Sequence, residues 1–175
     1  MQWINIKNAD WEKIPKIYHA WFREEASLTK YLEALAKKPL TVELVENGWK
    51  PTDSSLCETL TTDKKCWVRE IRFLHEGEPW EWAQTWFPES TIQGPGEIFK
   101  TLGARSIGSV LFSGEHSASR DVVEIAEIDT CHPFYKKATK LLNHFPRKLW
   151  IRRSWFSFYQ KPMLIYEVLA VERFY

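Results

Sequence analysis

The chain has 175 residues, the size of one ordinary domain and too short for two independent cores of usual size, so residues 1–175 are expected to form a single domain. A composition 44% hydrophobic and 27% charged, with 10 tryptophans, excludes a disordered chain. Lys+Arg at 24 against Asp+Glu at 23 leaves no global field to hold a phosphate backbone or an anionic membrane, so no nucleic-acid partner is expected.

The opening MQWINIKNADWEKIP lacks the apolar core of a secretory signal, and the apolar runs are far too short for a spanning helix. The expectation is a cytoplasmic protein without stable membrane insertion. Residues 11–38 have helical spacing with a break near Ser27, a residue suited to capping the second of two segments. Leu28, Tyr31, Leu32 and Leu35 then form one apolar stripe, which packs on the core or, following the polar elbow Arg23-Glu24-Glu25, lies over a pocket as a lid. Pro39 stops that helix, and Leu40, Val42 and Leu44 alternate with polar residues as in a half-buried strand. Residues 51–65 are polar and irregular.

CWVREIRFLHEGEPWEWAQTWFP reads as a hairpin turning around Glu76-Gly77-Glu78-Pro79. Past it, Gly94-Pro95-Gly96 marks a turn, Ile98, Phe99 and Leu102 share one side of a short helix, and Gly103 is suited to its C-cap. ARSIGSVLF predicts a further helical turn or two, RDVVEIAEI a strand, and 132–146 a helix lying between strands like an insertion. LWIRRSWFSFYQKPMLIYEVLAVERFY gives two more strands around Gln160-Lys161-Pro162. Hairpins dominate without βαβ alternation, so the predicted class is α+β: a mostly antiparallel sheet of about five or six strands with helices on one side.

Alternation puts Trp67, Arg69, Ile71 and Phe73 on one face of the first hairpin arm, and Met163, Ile165, Glu167 and Leu169 together in the last strand. Arg69 and Glu167 are thus charges inside apolar sets. An isolated buried charge is very costly, so each requires a partner. Either they bridge each other, tying the first hairpin to the last strand, or a ligand lies between them. An arginine there presents a fork matching a carboxylate, and a glutamate in an apolar wall is suited to acid or base work.

Other groupings are weaker. Cys57, Cys66 and Cys131 are odd in number and form no C-x-x-C, so free thiols are expected, and Cys131-His132 lacks a second cluster for a metal. His116, Ser117, Ser119 and Asp121 have the residue types of a triad but no nucleophile elbow, and read as a loop entering a strand. Arg147, Lys148, Arg152 and Arg153, interleaved with Trp150 and Trp155, read as a solvated strand face.

SLTKYLE, then WVREI with GEPW and the P-x-S-T-I-x-G-P turn, then IGSVLF with SRDVVEI, and finally LWIRRS with KPMLIYEV, follow one another from about Ser27 to the C-terminus. This ordered set resembles the bacterial chorismate–pyruvate lyases. The resemblance implies a cofactor-independent, metal-free, monomeric lyase of ubiquinone biosynthesis, which removes pyruvate from chorismate to leave 4-hydroxybenzoate. It also implies an antiparallel sheet whose helical flaps enclose the ligand. The family's ligand-contacting arginine and glutamate fall on Arg69 and Glu167, the expected catalytic pair. Two further substrate-binding positions, expected to use backbone groups, fall on Leu28 and Leu111. Leu28 stands where methionine is typical, Gln84 where a family member carries arginine, and residues 133–145 are extra. The implied roles are a clamp on the ring carboxylate for Arg69 and, for Glu167, protonation or orientation of the departing group. The alternative is a non-catalytic sensor of aromatic carboxylates, because ligand-binding domains of some bacterial transcription regulators resemble the same fold. Those normally follow a DNA-binding helical domain, for which few residues precede Ser27.

Overall fold

The computed structural model describes residues 2–52, 60 and 63–173. Most of the irregular stretch 51–65, Cys57 included, lies outside them. Among the described residues no helix is long and apolar enough to cross a membrane.

Among the described residues seven strands form one sheet in which every pairing is antiparallel. The strands are β1 (Ile4–Asn5), β2 (Thr41–Pro51), β3 (Lys65–His75), β4 (Glu78–Pro88), β5 (Ala118–Ile128), β6 (Leu149–Phe158) and β7 (Lys161–Leu169). Their spatial order is β1-β5-β6-β7-β4-β3-β2, so β4 and β7 lie at the centre. Six were predicted from alternation; the seventh, β1, is a two-residue edge pairing too short to show a period. The β3–β4 hairpin closes through Glu76 and Gly77 at φ of 51° and 88°, the left-handed pair that a two-residue turn requires. β6 and β7 are joined likewise through Tyr159 and Gln160, at φ of 47° and 63°.

The helices lie on both faces of the sheet, not on one. On one face α4 (Pro133–Leu142) buries Phe134, Tyr135, Ala138 and Leu142 against Val68, Trp82, Trp86, Leu164, Tyr166 and Val168. The stretch that looked like a surface insertion is therefore a core layer, required because β3, β4, β6 and β7 are apolar in both parities. His132 caps it by accepting the Phe134 amide at 3.2 Å through Nδ1, and Asn143, left-handed at φ 49°, ends it.

The other face carries α1 (His19–Phe22), α2 (Leu28–Ala36), the 3-10 turn Gly94–Phe99 and α3 (Gly108–Leu111). Ser27 caps α2 as predicted, its hydroxyl accepting the Lys30 amide at 3.4 Å. The helix buries Leu28 and Leu32 against the aromatic cluster of Tyr18, Trp21 and Phe22. Each such leucine contributes roughly 1.5–3 kcal/mol by leaving water.

Candidate active site

Between this second layer and the sheet lies a cavity. Its floor comes from Ile71 and Phe73 of β3, Glu81, Ala83 and Thr85 of β4, and Ile165 and Glu167 of β7, with Phe156 and Arg120 at the side. Its roof comes from Ser27, Leu28 and Thr29 at the start of α2 and from residues 106–108, 111 and 112 in and around α3. The space, mouth included, is about 430 Å³, of which about 30 Å³ can seat the centre of a water-sized sphere. The two roof segments meet at a Thr29 Oγ1 to Ser106 Oγ hydrogen bond of 2.6 Å. Gly108 permits this closeness, since a Cβ there would stand 2.9 Å from Ser27 Oγ.

Leu28, Leu111 and Glu167 all line the cavity, and Arg69 lies one side chain away, opposite Thr85 on β4. Leu28 and Thr29 occupy the first two helical positions of α2, whose amides have no intrahelical carbonyl. The Leu111 amide already donates to Ile107 O at 3.1 Å, leaving its carbonyl and side chain to the cavity.

Arg69 and Glu167 share the predicted face but do not touch. Arg69 pairs across the sheet with Thr85, and Thr85 with Ile165; Glu167 pairs with Ala83, and Ala83 with Ile71. The two charges are thus on β3 and β7, two strand spacings apart and two residues out of line, about 12 Å between their backbones. The direct bridge considered from the sequence does not form. Arg69, 1% exposed, donates through Nη2 to Gly103 O at 2.8 Å and Arg105 O at 2.6 Å, and its Nε has no partner. Among the described residues no carboxylate compensates it, and burial alone pulls its pKa down to about 10.

Glu167 is instead bound by a residue the sequence reading misplaced. Arg152, 0% exposed, donates through Nε to Glu167 Oε2 at 2.7 Å and through Nη1 to Trp21 O at 2.8 Å and Glu24 O at 3.2 Å. The supposed solvated basic face is split by alternation. Arg152 enters the cavity side, while Arg153 turns to the opposite face and pairs with Glu124 at 2.6 Å, and Lys148 pairs with Glu127. Only the choice of register separates these outcomes, and the sequence RRS does not state it.

Two more charged residues belong to the site and were not foreseen. A β-bulge between Arg120 and Val122 sets Arg120 opposite Phe156 and turns it into the cavity wall. Its Nη1 and Nη2 donate to Glu24 O at 3.1 Å and Ala26 O at 3.2 Å, and its buried Nε has no partner among the described residues. Burial first, then the nearby Arg152 charge, holds its pKa below the ordinary guanidinium range. Arg120 and Arg152 together therefore pin the polar elbow before α2. The other residue is Glu81, 1% exposed, facing the cavity from β4 opposite Phe73 on β3 and Leu169 on β7. Burial, then the Glu167 charge, pushes its pKa well above the carboxylate range, against the pull of Arg152. A neutral Glu81 leaves the Arg152–Glu167 pair balanced, so Arg69 and Arg120 are two cations without carboxylate partners among the described residues. Such a cavity suits a dianion.

The remaining groupings stay outside. Gln84 faces α4, accepting from Trp86 Nε1 at 2.8 Å and standing 3.4 Å from Glu70, so its position carries no charge role in this cavity. Ser119 donates to Asp121 at 3.0 Å, and His116 contacts Tyr159 instead of completing a triad. Cys66 is buried and Cys131 exposed, neither in a disulfide, and among the described residues no cluster of His, Cys, Asp and Glu could hold a metal.

The chain is 32% identical over 150 residues to the chorismate pyruvate-lyase of Enterobacter sp. strain 638, covering 85% of this chain and 79% of that one. It is 30% identical to the chorismate pyruvate-lyase of Erwinia tasmaniensis, covering 85% and 75%. Among solved structures, the effector domain of PhnF from Mycobacterium smegmatis superposes with a TM-score of 0.60 at 14% identity, over 86% of this chain and 91% of that one, a likeness of fold alone. The family model described as chorismate lyase matches residues 2–175, and the chain belongs to that family.

Proposed function

We propose that this chain is a chorismate–pyruvate lyase, which eliminates pyruvate from chorismate to give 4-hydroxybenzoate as an early step of ubiquinone biosynthesis. The observation that carries this reading is two guanidiniums without carboxylate partners among the described residues, Arg120 in the wall of the cavity that Glu167 lines and Arg69 one side chain away from it. Chorismate has two carboxylates, one on the ring and one on the enolpyruvyl ether. Arg69 receives the ring carboxylate and Arg120 the enolpyruvyl carboxylate, with the α2 amides at Leu28 and Thr29 close by. Glu167 then stands at the hydroxyl and ether end of the ring, its orientation fixed by Arg152.

Elimination makes the ring aromatic, so the reaction is downhill, and the protein contributes position and exclusion of water. Leu28 and Leu111 close over the ring from above. The closed space inside, about 30 Å³, is far smaller than sites that hold such ligands, commonly about 300–1,000 Å³. The roof therefore parts at the Thr29–Ser106 seam to admit chorismate and closes on the aromatic product, whose release is slow. Residues 1–175 act as one domain, a cytoplasmic monomer. The test is to mix purified protein with chorismate and measure both products: equal amounts of 4-hydroxybenzoate and pyruvate are expected. Tight chorismate binding without products would replace the lyase with a sensor.

A further inference from the structure

The lyase reading assigns chemistry to Glu167 but leaves Glu81, a buried carboxyl group in the same cavity, without a task. Its carboxyl group is 1% exposed on a central strand, and its Oε2 atom has no partner among the described residues. Buried polar atoms are almost always paired, so an orphan aimed into a cavity calls for an explanation. A residue kept for packing alone would be apolar, as its neighbours Ile71, Phe73 and Ala83 are.

The register places it. Glu81 pairs with Leu169 and Glu167 with Ala83, so the two carboxyl groups are diagonal neighbours on adjacent strands of one face, within reach of each other through their long side chains. Arg152 on β6 binds Glu167 from the far side, and its Nη2 also lacks a partner. The groups facing Glu81 are thus Glu167 of β7, Arg152 of β6 and Arg120 of β5, with the uncharged Ser27 and Thr29 above. Arg120 turns its Nη donors to Glu24 O and Ala26 O, so the two carboxyl groups share the charge of Arg152 alone and, in a water-poor space, hold one proton between them. Glu167 is held in the ion pair with Arg152, and Glu81, buried and without such a partner among the described residues, keeps the proton.

We propose that Glu81 is a second catalytic carboxyl group, which donates its proton to the ether oxygen of the departing enolpyruvyl group while Glu167 takes the ring proton. The inference rests on the lyase reading above. The step balances within the site. The C–H bond at the hydroxyl-bearing ring carbon breaks, its proton passing to the Glu167 carboxylate and its electron pair forming the third ring double bond. The bond from the adjacent ring carbon to the ether oxygen breaks with its pair on oxygen, and the Glu81 proton lands there. The enol so released tautomerises to pyruvate. Glu81 is then ionised and Glu167 protonated, and transfer of one proton between the neighbouring acids restores the starting state.

The test uses Glu81→Gln, which keeps shape and neutrality but cannot donate an acidic proton, and Glu81→Asp, which keeps the acid. The wild type should form equal 4-hydroxybenzoate and pyruvate; failure there overturns the lyase reading itself. With a working wild type, Glu81→Gln should lose about 10²-fold or more in kcat while 4-hydroxybenzoate binding stays within about threefold. The proposal predicts an alkaline fall of kcat in wild type, which should vanish in this variant. Glu81→Asp should recover part of the loss and keep the alkaline fall, and it carries the test alone if the glutamine variant does not fold. A Glu81→Gln kcat within about threefold of wild type with the alkaline limb intact overturns the proposal, as does a folded Glu81→Asp without an alkaline limb.

Discussion

Arg152→Met removes the charge that holds Glu167 while leaving a chain of similar length. In the native protein the guanidinium is wholly buried and makes three bonds, to Glu167 at 2.7 Å, Trp21 O at 2.8 Å and Glu24 O at 3.2 Å. Breaking a buried pair by deleting one member costs roughly 3–5 kcal/mol, because the partner stays buried and uncompensated. For a chain of this size 1 kcal/mol moves Tm by about 2–4 °C, so a fall of roughly 6–20 °C is expected. Arg152→Met/Glu167→Met deletes both charges and restores apolar packing, so the double variant should be more stable than Arg152→Met alone. Urea unfolding followed by tryptophan fluorescence measures wild type, Arg152→Met, Glu167→Met and the double variant in a double-mutant cycle. A loss below about 1 kcal/mol for Arg152→Met, or a double variant equal to the sum of the singles, would refute the assignment of Arg152 as the partner of Glu167.

Glu167→Gln keeps an acceptor for Arg152 and loses the base, so 4-hydroxybenzoate formation should drop by about 10²-fold or more with the circular dichroism spectrum retained; near-normal turnover removes Glu167 from the chemistry. Arg69→Lys keeps the charge and loses the fork, and should raise KM by about tenfold or more, with an unchanged KM counting against the clamp. Gly108→Ala puts a Cβ 2.9 Å from Ser27 Oγ and wedges the roof seam, so product release measured by stopped flow should quicken; an unaltered rate means the seam does not gate it. Glu81 has a raised folded-state pKa, so its contribution to stability is full below the unfolded value of about 4.3 and is lost as pH rises toward the folded value. Glu81→Gln should therefore gain on wild type as pH rises above about 4.3, by at most about 1.4 kcal/mol per pH unit, and parallel curves of unfolding free energy against pH would contradict this.

The sheet was legible because alternation is a local property: the β3–β4 hairpin, the strands around residue 160 and the shared face of Arg69 and Glu167 all follow from a period of two. The two-sided cover was not, since Trp82, Trp86 and Tyr166 read equally well as scattered aromatics until α4 is seen lying on them. The site's other charges were hidden for separate reasons. Arg152 sits beside Arg153, and the face each takes depends on pairing with β7. Arg120 reaches the cavity through a bulge, which shifts parity without a glycine to mark it. Glu81 shares the parity of Ala83 and Thr85 and was legible to that extent, but a single carboxylate between Trp80 and Trp82 does not state which face is enclosed. Leu28 and Leu111 entered through family resemblance, and their seats in the roof depend on loop paths that no periodicity encodes.

The central claim is that two uncompensated guanidiniums meet the two carboxylates of chorismate. Its most direct test is calorimetric titration of the Glu167→Gln protein, with and without Arg120→Met, using chorismate and 4-hydroxybenzoate as ligands. The account predicts that Arg120→Met weakens chorismate by about tenfold or more, the worth of one charged hydrogen bond, and 4-hydroxybenzoate, which lacks the enolpyruvyl carboxylate, by less than about threefold. Equal weakening of both ligands, or of neither, would contradict it.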